Sequence, residues 1–249
     1  MLRQLTELKN FTLGARDGEI GSVRDFYFDD ETWTVRYLVV NTGPWLLGRQ
    51  VLISPVAIDT PRWEEEVLPT GLTQEQIKNS PDIDLDQPVS RQHEIALNHY
   101  YGWPNYWYPS PLVGMAAPHT AAQPVPHEPV DMAEEPAAES HLRSVAEVTG
   151  YRVDATDGEI GHIADFFASE MDWIIRYALV DTGHWLPGRK VLIAPDWITN
   201  IEWLEREVQV QMTRKQFENS PEFDPKQGID RQYETNLYRY YEYPVYWGV

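Results

Sequence analysis

A single offset of 140 residues lays one part of this chain over another without a gap. "RDGEIGSVRDFYFD" (Arg16 to Asp29) falls on "TDGEIGHIADFFAS" (Thr156 to Ser169). "TGPWLLGRQVLISP" (Thr42 to Pro55) falls on "TGHWLPGRKVLIAP" (Thr182 to Pro195), and "YYGWPNYW" (Tyr100 to Trp107) on "YYEYPVYW" (Tyr240 to Trp247). Roughly four in ten positions are identical from Phe11 to Trp107. The period is too long for a solenoid and suits a duplicated small domain. About 100 residues are enough to bury a core of their own. The reading is therefore an N copy over 1–109 and a C copy over 141–249. The segment between them, 110–140, is rich in Pro and Ala, holds no Lys or Arg and has no apolar periodicity. That composition predicts a flexible acidic linker, because it cannot bury enough surface to offset its ordering entropy.

Charge narrows the partners. The formal net charge is −19, which repels phosphate backbones and anionic lipid. Neither nucleic acid nor membrane insertion is expected, and no apolar run reaches the ~18 residues of a spanning helix. Cysteine is absent, so there is no disulfide frame, thiolate metal site or thiol nucleophile. The opening "MLRQLTELKN" has no signal-peptide core. A cytoplasmic location is the expectation.

Each copy reads as strands followed by helices. Asp17-Gly18 and Asp157-Gly158 are hairpin-turn signals. The apolar phase slips between Ile20 and Val23, which predicts a bulge near Gly21. Val35, Tyr37 and Val39 alternate with Thr34, Arg36 and Leu38 in a β-rich run, and "GRQVLISP" is a further strand closed by proline. Val39, Val51, Ile53, Val191 and Ile193 are expected in the core. Ile58–Trp63 and Val67–Leu72 supply two more short strands. Thr73 with Gln76, and Thr213 with Gln216, are capping boxes opening a short helix. Ser90 and Asp230 cap a second one, whose expected inner face holds positions 93, 97, 100 and 104.

The order D-G-x-x-I-G-x-V-x-D, an "LVV" strand, then "GR-x-VL-I-x-P" and a closing Ile resembles the PRC-barrel family over Phe11–Leu72 and Tyr151–Met212. The resemblance implies a mainly β protein: two small PRC-type β-barrels in tandem, each followed by one or two short helices. It also implies an adaptor that docks on proteins and carries no general catalytic chemistry.

The residues themselves offer no catalytic constellation, and no catalytic, cofactor or metal site is expected. Of the histidines, none of His93, His99, His162 and His184 has a counterpart in the other copy, while His119, His127 and His141 precede the C-copy strands. Asp82, Asp84 and Asp86 alternate as calcium ligands can, but the glycine turn and terminal glutamate of an EF-hand loop are missing, and Lys226 replaces the third acid in the C copy. Glu19 with Asp25, repeated as Glu159 with Asp165, is the only recurrent acid pair suggesting acid–base work. Asp25 equally suits a backbone-amide cap or a pair with Arg36 or Arg49.

Aromatics are the remaining anomaly. Trp45 and Trp185 sit on Gly-flanked loops, and Tyr100, Tyr101, Trp107, Tyr240, Tyr241 and Trp247 form two C-terminal tails. These eight are the candidate interaction residues, since such rings give large contact areas at few rotatable bonds. The expected partner is another, unidentified protein. An intramolecular barrel–barrel contact is also expected, with each tail meeting the other half in a pseudo-two-fold pair. The alternative is a carbohydrate or small ligand held by Trp45 and Trp185.

Overall fold

A computed structural model describes residues 1–81, 89–107, 141–225 and 228–247. The linker 110–140, Asp82, Asp84, Asp86, Lys226 and the side chain of Trp45 lie outside the described residues.

The N copy runs β1 (Leu2–Gln4), β2 (Thr12–Ala15), β3 (Gly18–Asp29), β4 (Thr34–Asn41), β5 (Gln50–Ile53), β6 (Val67–Pro69), α1 (Gln74–Lys78) and α2 (Arg91–Tyr101). The C copy runs β7 (Leu142–Ser144), α3 (Val145–Val148), β8 (Arg152–Ala155), β9 (Gly158–Ser169), β10 (Ile175–Asp181), β11 (Lys190–Ile193), β12 (Ile198–Glu202), β13 (Glu207–Val210), α4 (Arg214–Glu218) and α5 (Arg231–Tyr241). The two sheets share one order: β5-β4-β3-β2-β6 and β11-β10-β9-β8-β13-β12. In both, the first hairpin is antiparallel while β2–β6 and β8–β13 pair in parallel. Among the described residues the pairing paths are open, so the expected barrels are not closed rings.

The hairpin turn is one residue earlier than its Asp-Gly signal suggests. Ala15 pairs with Gly18 and Ala155 with Gly158, leaving Arg16-Asp17 and Thr156-Asp157 as the loops. Positive φ is not needed at either loop residue. The bulge falls where the apolar phase slips: the register shifts past Ile20 and Ile160, and both side chains are buried. Gly21 and Gly161 are required by close approach. A Cβ there would stand 2.0 Å from the carbonyl oxygen of Asn41 or Asp181.

Val39, Val51, Ile53, Val191 and Ile193 are all buried, as their pattern predicts. The alternation expected of β4 fails, because Leu38 and Val40 are buried alongside Tyr37 and Val39. β4 is an interior strand, and from Tyr37 to Val40 it is covered on both faces.

The strand expected at Ile58–Trp63 does not form as an element. The N copy keeps only single bridges, Ile58 to Thr70 and Arg62 to Val67, whereas the C copy pairs β12 with β13. Pro61 and Pro69 stand where the C copy has Ile201 and Gln209, and a proline has no N–H to give a ladder.

The chain divides into two compact units that do not coincide with the sequence copies. One, here the N unit, comprises residues 8–27 with the described residues of 36–142. The other, the C unit, comprises residues 1–7, 28–35 and the described residues from Arg143 on. β1 leaves its own copy and extends the C-unit sheet, with Leu2 opposite Ser169, Arg3 opposite Ala168 and Gln4 opposite Phe167. Residues 28–35 follow it: Trp33 packs 6.3 Å from Phe166, and Thr34 bridges to Ile174. Apolar matching outweighs chain order here, since Phe28 and Phe166 are both fully buried against each other, 5.8 Å apart.

Candidate functional site

Three recurrent polar devices fasten the helices of each copy. The first is the turn aspartate. Asp17 Oδ1 accepts the Gln74 amide at 2.8 Å, and Asp157 Oδ1 accepts the Arg214 amide at 2.7 Å. Each carboxylate holds the first turn of the short helix that follows its sheet, where unsatisfied N–H groups favour an anion. The same helices carry the expected capping boxes at Thr73 and Thr213.

The second is the arginine of "GR". Arg49 donates to the carbonyls of Lys78 (3.0 Å), Ser80 (2.7 Å) and Pro81 (3.0 Å). Arg189 donates likewise to Glu218 (2.6 Å) and Ser220. A planar fork with several donors suits the orphan carbonyls at the end of a helix. Arg49 therefore closes a helix.

The third device was not legible beforehand. The inner face of α2 is Glu94, Leu97, Asn98 and Tyr101, and that of α5 is Glu234, Leu237, Tyr238 and Tyr241. The expected face through positions 93 and 104 is turned by one residue, and His93 is exposed. The reason is a buried glutamate. Glu94 is 2% exposed and accepts from Tyr106 Oη (2.8 Å) and Arg91 (3.1 Å). Glu234 accepts from Tyr246 Oη (2.6 Å), Tyr177 Oη (3.0 Å) and Arg231 (3.0 Å). Arg36 lies 3.8 Å over the Tyr106 ring and Arg176 4.4 Å over Tyr246. A buried carboxylate is tolerable only with such donors. Burial, with the Glu94 charge second, pushes the Tyr37 phenol far above its usual range. Burial raises Tyr246 to about 12, with the hydrogen bond to Glu234 adding to it. The recurrence of Glu in "RQHE" and "RQYE" was the available signal.

The acid pair does not assemble. Glu19 and Asp25 lie six residues apart on β3, and Glu159 and Asp165 likewise on β9. On an extended strand that separation is about 20 Å. Glu19 and Glu159 are exposed, while Asp165 is buried and accepts the Phe166 amide at 2.7 Å and the Thr6 amide at 3.3 Å. Among the described residues no three His, Asp or Glu side chains are grouped to hold a metal ion. No helix there is long and apolar enough to cross a membrane.

The aromatic candidates separate into core, clamp and surface. Tyr101 and Tyr241 are buried: Tyr101 stacks on Trp103 at 4.2 Å, and Tyr241 lies 4.9 Å from Trp197. Tyr100 and Tyr240 each donate to a helix carbonyl of their own copy, Gln76 and Gln216, at 2.8 Å. Trp107 lies under Arg91 at 4.2 Å, and Trp247 under Arg231 at 4.0 Å, so both belong to the glutamate clamp. Each tail is thus fastened to the last helix of its own copy by these contacts. On the loops, the Trp185 ring carries the Arg214 guanidinium 4.8 Å from its centre. Trp45 lies on the turn Gly43–Leu46, beside Leu47, which is 98% exposed with φ 54°.

Residues 3–68 match the PRC-barrel family from β1 to β6. This chain carries a PRC-barrel domain. The match points to a protein-interaction module in general and names no partner. No curated protein matches the chain. The PRC-barrel match follows the sequence copy, β1 included, although β1 sits in the C unit.

Proposed function

We propose that the chain is a non-enzymatic adaptor, built from the PRC-barrel domain and a second unit of the same kind, that docks another protein through its β4–β5 loop. The observation carrying this reading is Leu47. It is almost fully exposed and holds a left-handed backbone that leucine adopts only at a cost, on a Gly-flanked loop next to Trp45. A strained, exposed apolar tip on a rigid sheet is what a partner's apolar pocket would take. The reading is supported by the fastening roles of the recurrent charged groups, which leave little for catalysis. The acidic, cysteine-free composition fits a cytoplasmic setting. Comparative capture tests it: the wild-type chain and a Leu47→Asp variant are used as baits in the native host, and retained proteins are quantified by mass spectrometry. A partner held by the wild type and lost with Leu47→Asp is expected. Identical retained sets would sink the reading, as would turnover of any screened substrate that disappears with Glu19→Gln.

A further inference from the structure

We propose that residues 1–7 are an exchangeable donor strand, and that the end of β9 accepts the same segment from a second copy of this chain. This goes beyond the adaptor reading and does not depend on it.

The acceptor is built from β9 and the residue after it. Its backbone pairs with only three residues of the donor, Leu2 to Gln4. Side chains supply the rest. Arg3 Nε donates to Glu170 Oε1 at 2.6 Å, with the two side chains 32% and 25% exposed. Leu5 is completely buried. Thr6 gives both its amide and its hydroxyl to the carboxylate of Asp165, itself 3% exposed. The site therefore reads a three-residue strand that runs into a 3-10 turn at Leu5–Leu8, with the pattern apolar, Arg, any, apolar, Thr. Main-chain pairing supplies affinity, and the Arg and Leu positions supply selectivity, as in strand addition to a sheet.

The pattern is written twice. Leu142-Arg143-Ser144-Val145 repeats Leu2-Arg3-Gln4-Leu5, and Arg143 Nε donates to Asp30 Oδ2 at 2.8 Å as Arg3 does to Glu170. Asp30 and Glu170 are equivalent positions under the repeat. Val145 is completely buried, like Leu5. A strand-accepting end with its own carboxylate for the donor's arginine is thus a feature of this repeat, not an accident of one copy.

Donor and acceptor are not continuous in sequence: residues 1–7 lie apart from the rest of the C unit, and the backbone leaves that unit between Glu7 and Leu8. Every contact at the site would be the same whichever chain supplied the segment. Only effective concentration favours the chain's own, and that advantage is finite. Exchange of such an element between identical chains is a low-cost route to a dimer.

The test uses full-length chains. Arg3→Glu and Glu170→Arg each place like charges at the site in cis. In a mixture, the donor of each variant meets an opposite charge only on the other chain. Both variants are purified, incubated alone and in equimolar mixture, and examined by native mass spectrometry, with near-ultraviolet circular dichroism as the check of folding. The mixture should hold about tenfold more dimer than either variant alone, and that dimer should be the heterodimer. A mixture with no more dimer than the single variants overturns the proposal. Should either variant not fold, the unaltered chain is titrated with a labelled peptide of residues 1–9. Saturable binding that weakens about tenfold or more with Arg3→Glu in the peptide supports exchange. No binding up to about 1 mM, or equal binding of both peptides, overturns it.

Discussion

The N and C copies fill the same space with different chemistry. In the C copy Trp197 is 1% exposed and packs among Tyr238, Tyr241 and Tyr243, at 5.3, 4.9 and 5.5 Å between ring centres. The equivalent N-copy residues are Ala57, Asn98, Tyr101 and Trp103. There the indole comes from the tail, with Trp103 stacked flat on Tyr101. The space vacated by a phenol is taken by a polar pair, Tyr37 Oη to Asn98 and Asn98 to Asn105. The two copies thus keep sheet order, turn, helix caps and buried glutamate, while exchanging one large aromatic between sheet and tail. Backbone-directing positions tolerate less change than the volume inside, because total volume can be redistributed among neighbours.

The largest expected contrast is at high pH. Tyr151, Tyr177, Tyr233, Tyr238, Tyr240, Tyr241 and Tyr246 in the C copy all have raised values, burial being the first cause in each. In the N copy the same holds for Tyr37, Tyr100 and Tyr101. A raised native value means that the stabilisation is complete below the unfolded value near 10.0 and is lost as pH climbs through the native one, about 12 for Tyr246. The C unit should therefore open first in alkali. Hydrogen-exchange mass spectrometry after a pH pulse, read peptide by peptide, would show it. Opening of the N unit first would break the comparison.

Trp197→Ala comes next. Loss of a buried indole costs about 3–5 kcal/mol, and the effect should fall on the C unit alone. Denaturant unfolding followed by the same peptide-resolved exchange checks this. An unchanged C-unit midpoint would mean that Trp197 does not hold the tail down.

Arg49→Lys and Arg189→Lys keep the charge and lose the fork. Each should cost about 1.5–3 kcal/mol, because helix carbonyls of Ser80 or Ser220 lose charged donors. The two losses should be nearly equal, since this device is common to both copies. A clear inequality in paired thermal melts would show that one helix end is held by something else.

The smallest effect concerns the edge. Pro61→Ile restores the C-copy residue to the N copy and should change stability by less than about 0.5 kcal/mol, as a half-buried site outside the core. It should nevertheless add slow-exchanging amides around Arg62 and Val67, as the single bridges lengthen into a ladder. Unchanged exchange there would show that Pro69, or the acidic turn Trp63–Glu65, limits the strand instead.

Much of the fold was open to reading because its signals are local or repeated. Asp17 and Asp157, Gly21 and Gly161, Thr73 and Thr213, and the aliphatic runs through Val39 and Ile193 each announce a turn, close approach, cap or core strand within a few residues. Duplication doubled each signal. The candidate site was less legible. Tyr101 and Tyr241 look like tail aromatics available to a partner, but their place in the core depends on Trp103 and Trp197, which come from different elements.

What the amino-acid order determined by itself is the repeated plan: strand sequence, bulge, capped helices and an acidic, cysteine-free composition. Those features follow from backbone preferences and side-chain periodicity, which act over a few residues. What only the tertiary structure decided is which carboxylates are buried and which segment completes which sheet. Glu94 and Glu234 turn inward because Arg91 and Arg231 one helical turn earlier, Tyr106 and Tyr246 from the tails and Tyr177 from the sheet converge on them. Residues 1–7 and 28–35 join the C unit because Leu5 and Phe28 find their cover there, and Arg3 its carboxylate. Burial of apolar area and satisfaction of polar groups are properties of the assembled neighbourhood, and no periodicity along a single copy records from which copy that neighbourhood is drawn.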